Sequence, residues 1–416
     1  MKLVKTVAAV AFAACLGVSA IGCSSGASSS AASASSASAE ASASASAEAA
    51  SSEAASSEAS ALDDAAAAAA VDDLIAAIQV QERTETTDAD CKAAKDAWDA
   101  LTPAQQALVE EGDYFGLDTG DASADDPLAT APTKDKEILV VSFGTSFNNS
   151  RVETIGAVEK ALQAAFPEWD VRRAFTAQII INHIAARDGE QINTVAQALD
   201  LAKEAGVKEL VIAPTHLMHG AEYNELTAAI KPYEADMKIV VSEPLLGEVG
   251  ADVKAINEDK KAVCEAVTAE AVKDAGFDSL EAAEKDGTAF VFMGHGTSHE
   301  ANVTYDQMQT QMEELGYKNV FIGTVEGEPE DTECEAVIEK VKDAGYKNVI
   351  LRPLMVVAGD HANNDMADPE DEESWYSQFT AAGFNTTCQI NGLGEIVDVQ
   401  NLYVAHVTDA MKAFEA

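Results

Sequence analysis

The sequence predicts an α/β protein built from two similar lobes in tandem, each a parallel sheet flanked by helices. Three observations lead to this fold class. From residue 136 onwards, short apolar runs alternate with amphipathic helical stretches. Most of the runs are continuously apolar, which is typical of strands buried on both faces of a parallel sheet. Two segments of this region also recur further along the chain, and such internal repeats predict duplicated structural units.

The first 22 residues predict an export signal. Lys2 and Lys5 precede an apolar run from residue 7 to 21, which is too short for a stable membrane anchor. The run ends in Ala-Ile-Gly followed by Cys23, a pattern typical of bacterial lipoproteins whose cysteine is acylated. We therefore expect lipidation at Cys23 and anchoring on the outer face of the cell membrane. Simple cleavage with release of the protein is the alternative.

The region before the sheets divides by composition. Residues 23–60 are almost entirely Ser and Ala and predict a disordered tether. Residues 61–117 carry apolar side chains at helical spacing and predict a small three-helix module, whose third helix starts at the capping sequence Thr102-Pro103-Ala104-Gln105. A polar linker follows at residues 118–135. The predicted lobes are residues 136–285 (lobe 1) and residues 286–416 (lobe 2).

Charge and cysteine content exclude several functions. The chain has 71 acidic and 27 basic residues, a balance that repels nucleic acids and anionic lipid headgroups. The only membrane partner we expect is the lipid anchor. The four cysteines beyond Cys23 stand far apart, without the spacing of a zinc site. A homo-oligomer is compatible with the sequence and is left open.

The repeats identify candidate functional residues as the positions at which the two copies differ. Residues 138–146 match residues 290–298, and both copies end in Gly-Thr-Ser. Residues 205–214 match residues 344–353, and in each copy a glycine follows six residues after the proline. Where lobe 1 has Phe143, lobe 2 has His295, and where lobe 1 has Glu222, lobe 2 has His361. These positions follow strands, and ligands of open parallel sheets bind at the carboxyl ends of the strands.

A carboxylate completes a candidate metal site. Glu326 lies just past another predicted strand of lobe 2, in the loop Gly-Thr-Val-Glu-Gly-Glu-Pro. Two imidazoles and a carboxylate suit Co²⁺, Ni²⁺, Fe²⁺ or Zn²⁺. The alternatives are a histidine that is only hydrogen-bonded at a strand end and a Glu326 that is only part of an acidic, solvated loop. No phosphate-binding GxxxxGK[ST] loop is present, so we expect no nucleotide.

The same loops resemble the anaerobic sirohydrochlorin cobaltochelatases, which are ATP-independent class II tetrapyrrole chelatases. The resemblance covers residue 138 to nearly the C-terminus. It is carried by these segments: LVVSFGTS, RAFT at 173–176, HGAEY at 219–223, VFMGHGTSH, GTVEG, PLMVVAGDHANNDMA at 353–367 and GLGE at 392–395. The export signal, the tether and the helical module depart from a family that would normally work in the cytoplasm, where its substrate is made.

The resemblance implies a tetrapyrrole bound between the lobes and a metal bound on one side of it. His295, Glu326 and His361 fall on the family's metal ligands, and Glu222 falls on a catalytic carboxylate. His295 and His361 are also candidates for catalysis. Arg173 is our candidate for binding the substrate's carboxylates, with Arg151 and Arg352 as weaker ones. The turn residues Phe143, Gly144 and Thr145 are predicted to contact the substrate.

The sequence therefore predicts an exported metallochelatase that inserts a divalent metal into sirohydrochlorin or a related tetrapyrrole. Co²⁺ is the expected metal, with Ni²⁺ and Fe²⁺ as alternatives, and the metal is a substrate rather than a resident cofactor. The competing prediction is a surface lipoprotein that binds haem, a corrinoid or a metal ion without turnover. Retention of Glu222 favours catalysis, because capture alone needs no proton acceptor.

Overall fold

The structure is a computed structural model that describes residues 48–116, 119–248 and 250–415, with side chains from residue 63 onwards. The chain divides into two units, residues 1–57 and residues 58–416, and the second unit contains both sheets. The predicted signal sequence and Cys23 lie outside the described residues. Among the helices that are described, none is long and apolar enough to cross a membrane.

Each lobe contains a four-stranded parallel sheet, and both sheets have the same topology. The strand orders are β2-β1-β3-β4 in lobe 1 and β6-β5-β7-β8 in lobe 2. The prediction of an α/β fold with two similar parallel sheets is confirmed. The strands are β1 (Lys136–Ser142), β2 (Asp170–Phe175), β3 (Glu209–Pro214), β4 (Lys238–Val241), β5 (Thr288–Gly294), β6 (Val320–Thr324), β7 (Asn348–Pro353) and β8 (Asn385–Cys388).

The strand order fixes where a site can form. In each lobe the chain crosses from the first strand to one neighbour and then returns to the other side of the first strand. The carboxyl ends of β1 and β3, and those of β5 and β7, therefore flank a topological switch point, where loops diverge and leave a crevice. The residues singled out by the repeats follow these four strands, with Glu326 after the neighbouring β6.

Helices cover both faces of the sheets. In lobe 1 and its connection to lobe 2 they are α4 (Asn148–Glu153), α5 (Ile155–Ala165), α6 (Gln178–Asp188), α7 (Val195–Ala205), α8 (Ala221–Ile230), α9 (Glu258–Asp274) and α10 (Leu280–Asp286). In lobe 2 they are α11 (Val303–Glu314), α12 (Cys334–Asp343), α13 (Trp375–Ala381) and α14 (Val397–Met411). A π-helix at Ala362–Met366 follows β7. In α5, α7 and α12 apolar residues recur with the period of a helix, and the apolar face that they form packs on the strands.

The C-terminal helix connects the two lobes. Although α14 follows lobe 2 in sequence, it packs against α5 and β3 of lobe 1. The hydroxyl of Tyr403 on α14 donates a hydrogen bond of 2.9 Å to the carbonyl of Thr215. In return, α9 packs against α11 of lobe 2, where Cys264 contacts Met308. One hydrophobic core consequently runs through both lobes, and the packing does not divide at the predicted boundary of residue 285.

The segment before the lobes contains α1 (Glu48–Ile78), α2 (Thr87–Ala100), α3 (Pro103–Gln106) and a 3₁₀ helix at Gly112–Phe115. The capping box of the third helix is confirmed, since Thr102 and Gln105 each bond the other's backbone N–H. Helix α1 begins well before residue 61, within the predicted tether. Alanine has the highest helix propensity of all residues, and an Ala-rich sequence can extend a helix for that reason.

The helical module packs on α6 of lobe 1. The side chain of Asn182 donates a hydrogen bond of 2.9 Å to the carbonyl of Ile78 at the end of α1. The His183 ring stacks on Tyr114 at 4.0 Å between centroids, and its Nε2 lies 2.7 Å from the Tyr114 carbonyl oxygen. Ala185 and Ala186 of α6 join the module's own buried cluster. The helical module is therefore packed against lobe 1 and is not a separate domain.

The linker supplies a buried counter-ion to lobe 1. Asp125 accepts hydrogen bonds from Arg151 at 2.7 Å and from Arg173 at 2.9 Å, and both guanidinium groups are fully buried. Glu159 of α5 binds the other side of Arg173 at 2.7 Å. Burial alone would raise the pKa of Asp125, but the hydrogen bonds and charges of the two arginines hold it below its usual value.

Candidate metal and tetrapyrrole site

The backbone brings His295 and Glu326 together. His295 directly follows β5, and the pairing of β5 with β6 continues past the strand ends. The N–H of Glu326 donates to the carbonyl of His295 at 2.9 Å. Gly296 makes this approach possible, because its φ is +92° and a Cβ there would lie 3.0 Å from the Glu326 Cβ. As a result, His295 Nε2 lies 4.0 Å from a Glu326 carboxylate oxygen, and both side chains are about half exposed.

His361 reaches the same place from the next loop. It precedes the π-helix after β7, and its ring centroid lies 4.8 Å from that of His295, with the planes 76° apart. The structure thus brings His295, Glu326 and His361 together at the carboxyl edge of the lobe 2 sheet. An ion bound at the usual distance of about 2.1 Å needs ligand atoms no further apart than about 4.2 Å. The His295–Glu326 pair meets this limit.

Each histidine uses its Nδ1 for a hydrogen bond within its own loop. His295 Nδ1 lies 2.7 Å from the Gly296 carbonyl oxygen, so Nδ1 carries the proton and Nε2 offers a lone pair. His361 Nδ1 lies 2.7 Å from the Asp365 carboxylate. The hydrogen bond that His361 donates to Asp365 raises the pKa of His361 above its ordinary value; the charges of Asp365 and Asp360 raise it further, and burial opposes them. Metal-binding histidines are commonly oriented by a carboxylate in this way.

Asp365 is a functional candidate that the sequence prediction missed. Within the described part of the chain, Asp360, His361 and Asp365 form the one group of three whose ligand atoms all lie within 4.8 Å of one another. The sequence does contain a signal for this residue. Acidic or histidine side chains occur at positions i, i+1 and i+5 of a loop that is already predicted to bind metal. The predicted trio of His295, Glu326 and His361 lies outside this limit, although the two imidazole rings are 4.8 Å apart between centroids.

Glu222 approaches from lobe 1. It is the second residue of α8, after β3, and its side chain is 51% exposed. Burial of its surroundings and the charge of Glu225 raise its pKa above the ordinary value. Its charge acts on the hydroxyl of Tyr305, which accepts the N–H of Gly296 at 3.0 Å. The neighbouring Asn224 also lies 3.3 Å from His299 of lobe 2. Glu222 therefore faces the turn that carries His295.

The predicted substrate contacts are only partly placed at the cleft. Phe143 follows β1 and is 44% exposed, an uncommon exposure for a large apolar side chain. Gly144 and Thr145 are buried; a Cβ on Gly359 of lobe 2 would lie 2.8 Å from the Thr145 hydroxyl oxygen. These two residues shape the turn where the lobes meet, and their contact with substrate stays a prediction.

Arg173 contradicts its predicted role. It lies on β2, is fully buried, and donates to Glu159 on one side and Asp125 on the other. With its donors taken by two carboxylates, it has none to offer a substrate. Arg151 and Arg352 are equally buried; Arg151 binds Asp125, and Arg352 donates to Asp274 at 2.6 Å. The buried arginines balance charges inside the protein.

Two similar parallel sheets define a two-lobed α/β protein. Two histidines and a carboxylate lie together at the switch point of the lobe 2 sheet, and this set of side chains is suited to binding a metal ion. The family model for cobalt chelatase (CbiK) matches residues 136–412. The chain therefore belongs to the cobalt chelatase (CbiK) family.

Two curated relatives agree with this assignment. The sirohydrochlorin cobaltochelatase of Salmonella typhimurium strain LT2 is 34% identical over 277 residues, which are 66% of this chain and 96% of that protein. The sirohydrochlorin cobaltochelatase CbiKC of Nitratidesulfovibrio vulgaris strain Hildenborough is 28% identical over 289 residues, 70% of this chain and 95% of that protein. The crystal structure of the sirohydrochlorin chelatase SirB from Bacillus subtilis subspecies spizizenii with cobalt is similar over 67% of this chain and 97% of that chain, at 15% identity and a TM-score of 0.44.

Proposed function

We propose that this chain is a cobaltochelatase that inserts Co²⁺ into sirohydrochlorin or a closely related tetrapyrrole without a nucleotide. The observation that carries the proposal is the approach of His295, Glu326 and His361, with Glu222 facing them from the other lobe. Membership of the cobalt chelatase family and the two relatives named as cobaltochelatases, each matched over nearly its whole length, support the substrate pair.

In this proposal His295, His361 and Glu326 hold the metal substrate. The two Nε2 lone pairs and the carboxylate bind the ion, and Glu326 offsets part of its charge. Transfer to the macrocycle forms four metal–nitrogen bonds as the protein ligands leave one at a time. Two pyrrole N–H bonds break in the same process, so two protons are released for each M²⁺ inserted. Holding ion and ring face to face supplies the effective concentration.

Glu222 accepts one of these protons. Burial and the charge of Glu225 raise its pKa above the ordinary glutamate value, which makes the carboxylate a stronger base. The second proton goes to another base or to solvent at the half-exposed face of the site. The exposed ring of Phe143 offers an apolar surface on which the flat macrocycle can stack.

The location of this activity is a separate proposal. We propose that the chain is exported and anchored through Cys23, with the Ser- and Ala-rich segment acting as a spacer. The lysines, the apolar run and the cysteine of the first 23 residues support it. Radioactive palmitate labelling of cells expressing the wild type and a Cys23→Ala variant tests it. Label on the wild type alone is expected, and label on neither would refute anchoring at this residue.

The proposed function is tested by mixing the purified full chain with sirohydrochlorin and Co²⁺ under anaerobic conditions and following the macrocycle's absorption. We expect insertion at a rate proportional to protein concentration, with Ni²⁺ and Fe²⁺ measured in parallel. A Glu222→Gln variant should bind Co²⁺ normally and insert it about 100-fold more slowly, a typical loss for a missing general base. Binding of metal or ring without any spectral change, across all three metals, would identify a capture protein instead.

A further inference from the structure

His216 is a buried imidazole without hydrogen-bond partners. It lies two residues past the end of β3, and its side chain is only 6% exposed. Neither ring nitrogen has a hydrogen-bond partner among the described residues. Buried polar atoms are almost always satisfied, and the exceptions tend to mark functional positions. The equivalent position after β7 in lobe 2 is Met355, which packs with the core of that lobe and carries no N–H.

The backbone around His216 is fixed from three directions. The N–H of Thr215 donates to Val141 of β1 at 2.8 Å, and the carbonyl of His216 accepts the N–H of Leu245 at 3.0 Å. The carbonyl of Thr215 accepts the hydroxyl of Tyr403 at 2.9 Å. These bonds fix the backbone of His216, and the burial of the ring restricts its rotation. The unsatisfied imidazole is therefore a stable feature of the lobe 1 sheet edge.

The imidazole faces the carboxylate of Glu222. His216 Nε2 lies 3.9 Å from Glu222 Oε2, about 1 Å longer than a hydrogen bond. Glu222 makes no hydrogen bond of its own within the described residues, and its half-exposed side chain has room to rotate. The other titratable groups that act on Glu222 are Glu225, one turn along α8, and Tyr305 of lobe 2. His216 Nε2 is thus a buried nitrogen, without another hydrogen-bond partner among the described residues, that is placed to donate to Glu222.

We infer that His216 is the positioning residue for Glu222: its Nε2–H donates to one carboxylate oxygen when substrate is bound and turns the other oxygen towards the macrocycle. This inference rests on the proposed function, because it assigns a partner to the base of that reaction. The same N–H serves before and after proton transfer. The carboxylate accepts from Nε2–H through one oxygen, takes the pyrrole proton on the other, and still accepts through the first as a neutral carboxyl group.

The state of His216 suits this role. Burial lowers its pKa to about 4, so the ring is neutral at physiological pH and adds no positive charge to the site. A cation next to Glu222 would lower the basicity of the carboxylate strongly and would also repel the incoming metal. A neutral N–H orients the carboxylate with a much smaller effect on its pKa.

The test uses two substitutions at this position in the full chain. His216→Phe keeps a flat ring and removes the donor, while His216→Gln places an amide N–H close to the position of Nε2. We expect His216→Phe to lower kcat for Co²⁺ insertion about tenfold, the value of one net hydrogen bond. KM and Co²⁺ affinity should stay within about twofold, because the metal ligands are untouched. His216→Gln should recover most of the lost rate.

Two further measurements separate positioning from a merely structural role. Loss of the donor disfavours the charged carboxylate, so the acid limb of the kcat–pH profile should move to higher pH in His216→Phe. The thermal midpoint should be unchanged or higher, because two unsatisfied buried polar atoms are removed. A His216→Phe protein with normal kcat, or one whose loss of rate simply follows a loss of stability, overturns the inference.

A double-substitution cycle keeps this inference distinct from the proposed function. In a Glu222→Gln background, His216→Phe should have no further effect on kcat, since the group that it positions is gone. If Glu222→Gln alone leaves kcat unchanged, the proposed role of Glu222 has failed. If Glu222→Gln lowers kcat and His216→Phe lowers it further by the full tenfold, Glu222 keeps its role and His216 acts independently of it.

Discussion

In lobe 1 the first strand is followed by Phe143, and in lobe 2 the equivalent strand is followed by His295, although both turns continue Gly-Thr-Ser and both strands hold the same place in their sheets. One turn offers an exposed apolar ring and the other an imidazole 4.0 Å from a carboxylate. The comparison teaches that the duplicated backbone decides where a site forms. A few side chains then decide, in the proposed function, which side of the cleft binds the metal and which side contacts the tetrapyrrole ring.

The lobes differ in their interiors as well. Lobe 1 buries Arg172 and Arg173 on the strand β2, and neutralises them with Glu137, Glu159 and Asp125. The equivalent strand of lobe 2, β6, consists of Val, Phe, Ile, Gly and Thr. Lobe 1 therefore depends on a carboxylate from the preceding linker, and lobe 2 does not. The predictions below exchange or remove these differences.

The largest effect is expected from making the lobe 2 turn like the lobe 1 turn. His295→Phe removes one of three proposed ligands, and we expect Co²⁺ insertion to fall roughly 1000-fold, with a matching loss of Co²⁺ affinity by calorimetry. His299→Asn is the matched control. It keeps a side chain that can accept the N–H of Ala301, as His299 does now, and should retain near-normal activity. Equal losses in both variants would mean that the turn, not the ligand, matters.

Removal of the linker's counter-ion should be the largest effect on stability. Asp125→Asn leaves Arg151 and Arg173 buried with one negative charge fewer, at a cost of about 3 kcal/mol in the free energy of unfolding. Urea denaturation measures it. Asp126→Asn is the control, because Asp126 is exposed and its one hydrogen bond, from the N–H of Leu128, can be made by an amide oxygen. Similar stabilities of the two variants would show that lobe 1 does not need the linker.

The same pair of variants has a pH dependence. The pKa of Asp125 is lower in the folded protein than the ordinary value, so its contribution to stability is fully present above the unfolded pKa of about 3.9 and is lost as the pH falls through the folded value. The stability difference between wild type and Asp125→Asn should therefore be constant from about pH 5 upwards and shrink in stronger acid. A difference that grows as the pH falls would contradict the pairing.

An intermediate effect is expected from the carboxylate behind His361. Asp365→Asn keeps an acceptor for the Nδ1–H but removes the charge, and we expect Co²⁺ affinity to fall about 10-fold or more, within the range for partners of metal-binding histidines. Asp371→Asn serves as the control, because it removes the same charge from an exposed residue whose Oδ1 accepts the N–H of Glu373, a bond that an amide oxygen can also accept. Unchanged affinity in Asp365→Asn would place the ion away from His361.

Much of this architecture was predictable from the sequence, and the failures have identifiable causes. The apolar runs gave six of the eight strands, because buried parallel strands need continuous apolar sequence. They could not indicate β2 or β8, since β2 contains two arginines and β8 reads Asn-Thr-Thr-Cys. The sequence suggests Arg173 for substrate binding because its two carboxylate partners, Glu159 and Asp125, are distant from it in sequence.

The site shows the same division. The repeats located His295, Glu222 and His361, because a comparison within one chain separates scaffold residues from departures. The repeats do not reveal the partners of these residues, because the approach of His216 to Glu222 and the electrostatic interaction of Glu222 with Tyr305 join elements that only the fold brings together. His406 of α14 is a further example, because its ring is buried with Nε2 3.1 Å from a carboxylate oxygen of Asp259, a residue 147 positions earlier in the chain.

The smallest effect compares the glycines that the repeats share. In lobe 1 a Cβ on Gly220 would have its nearest contact at 3.7 Å, whereas in lobe 2 a Cβ on Gly359 would lie 2.8 Å from the Thr145 hydroxyl oxygen across the lobe contact. Gly220→Ser should therefore leave stability unchanged or slightly higher, since serine is a good residue at this helix N-cap. Gly359→Ser should cost about 1 kcal/mol through overpacking, measured by urea denaturation. If both variants behave alike, the turns of Thr145 and Gly359 do not press on each other in solution, and the cleft between the lobes is wider than this structure has it.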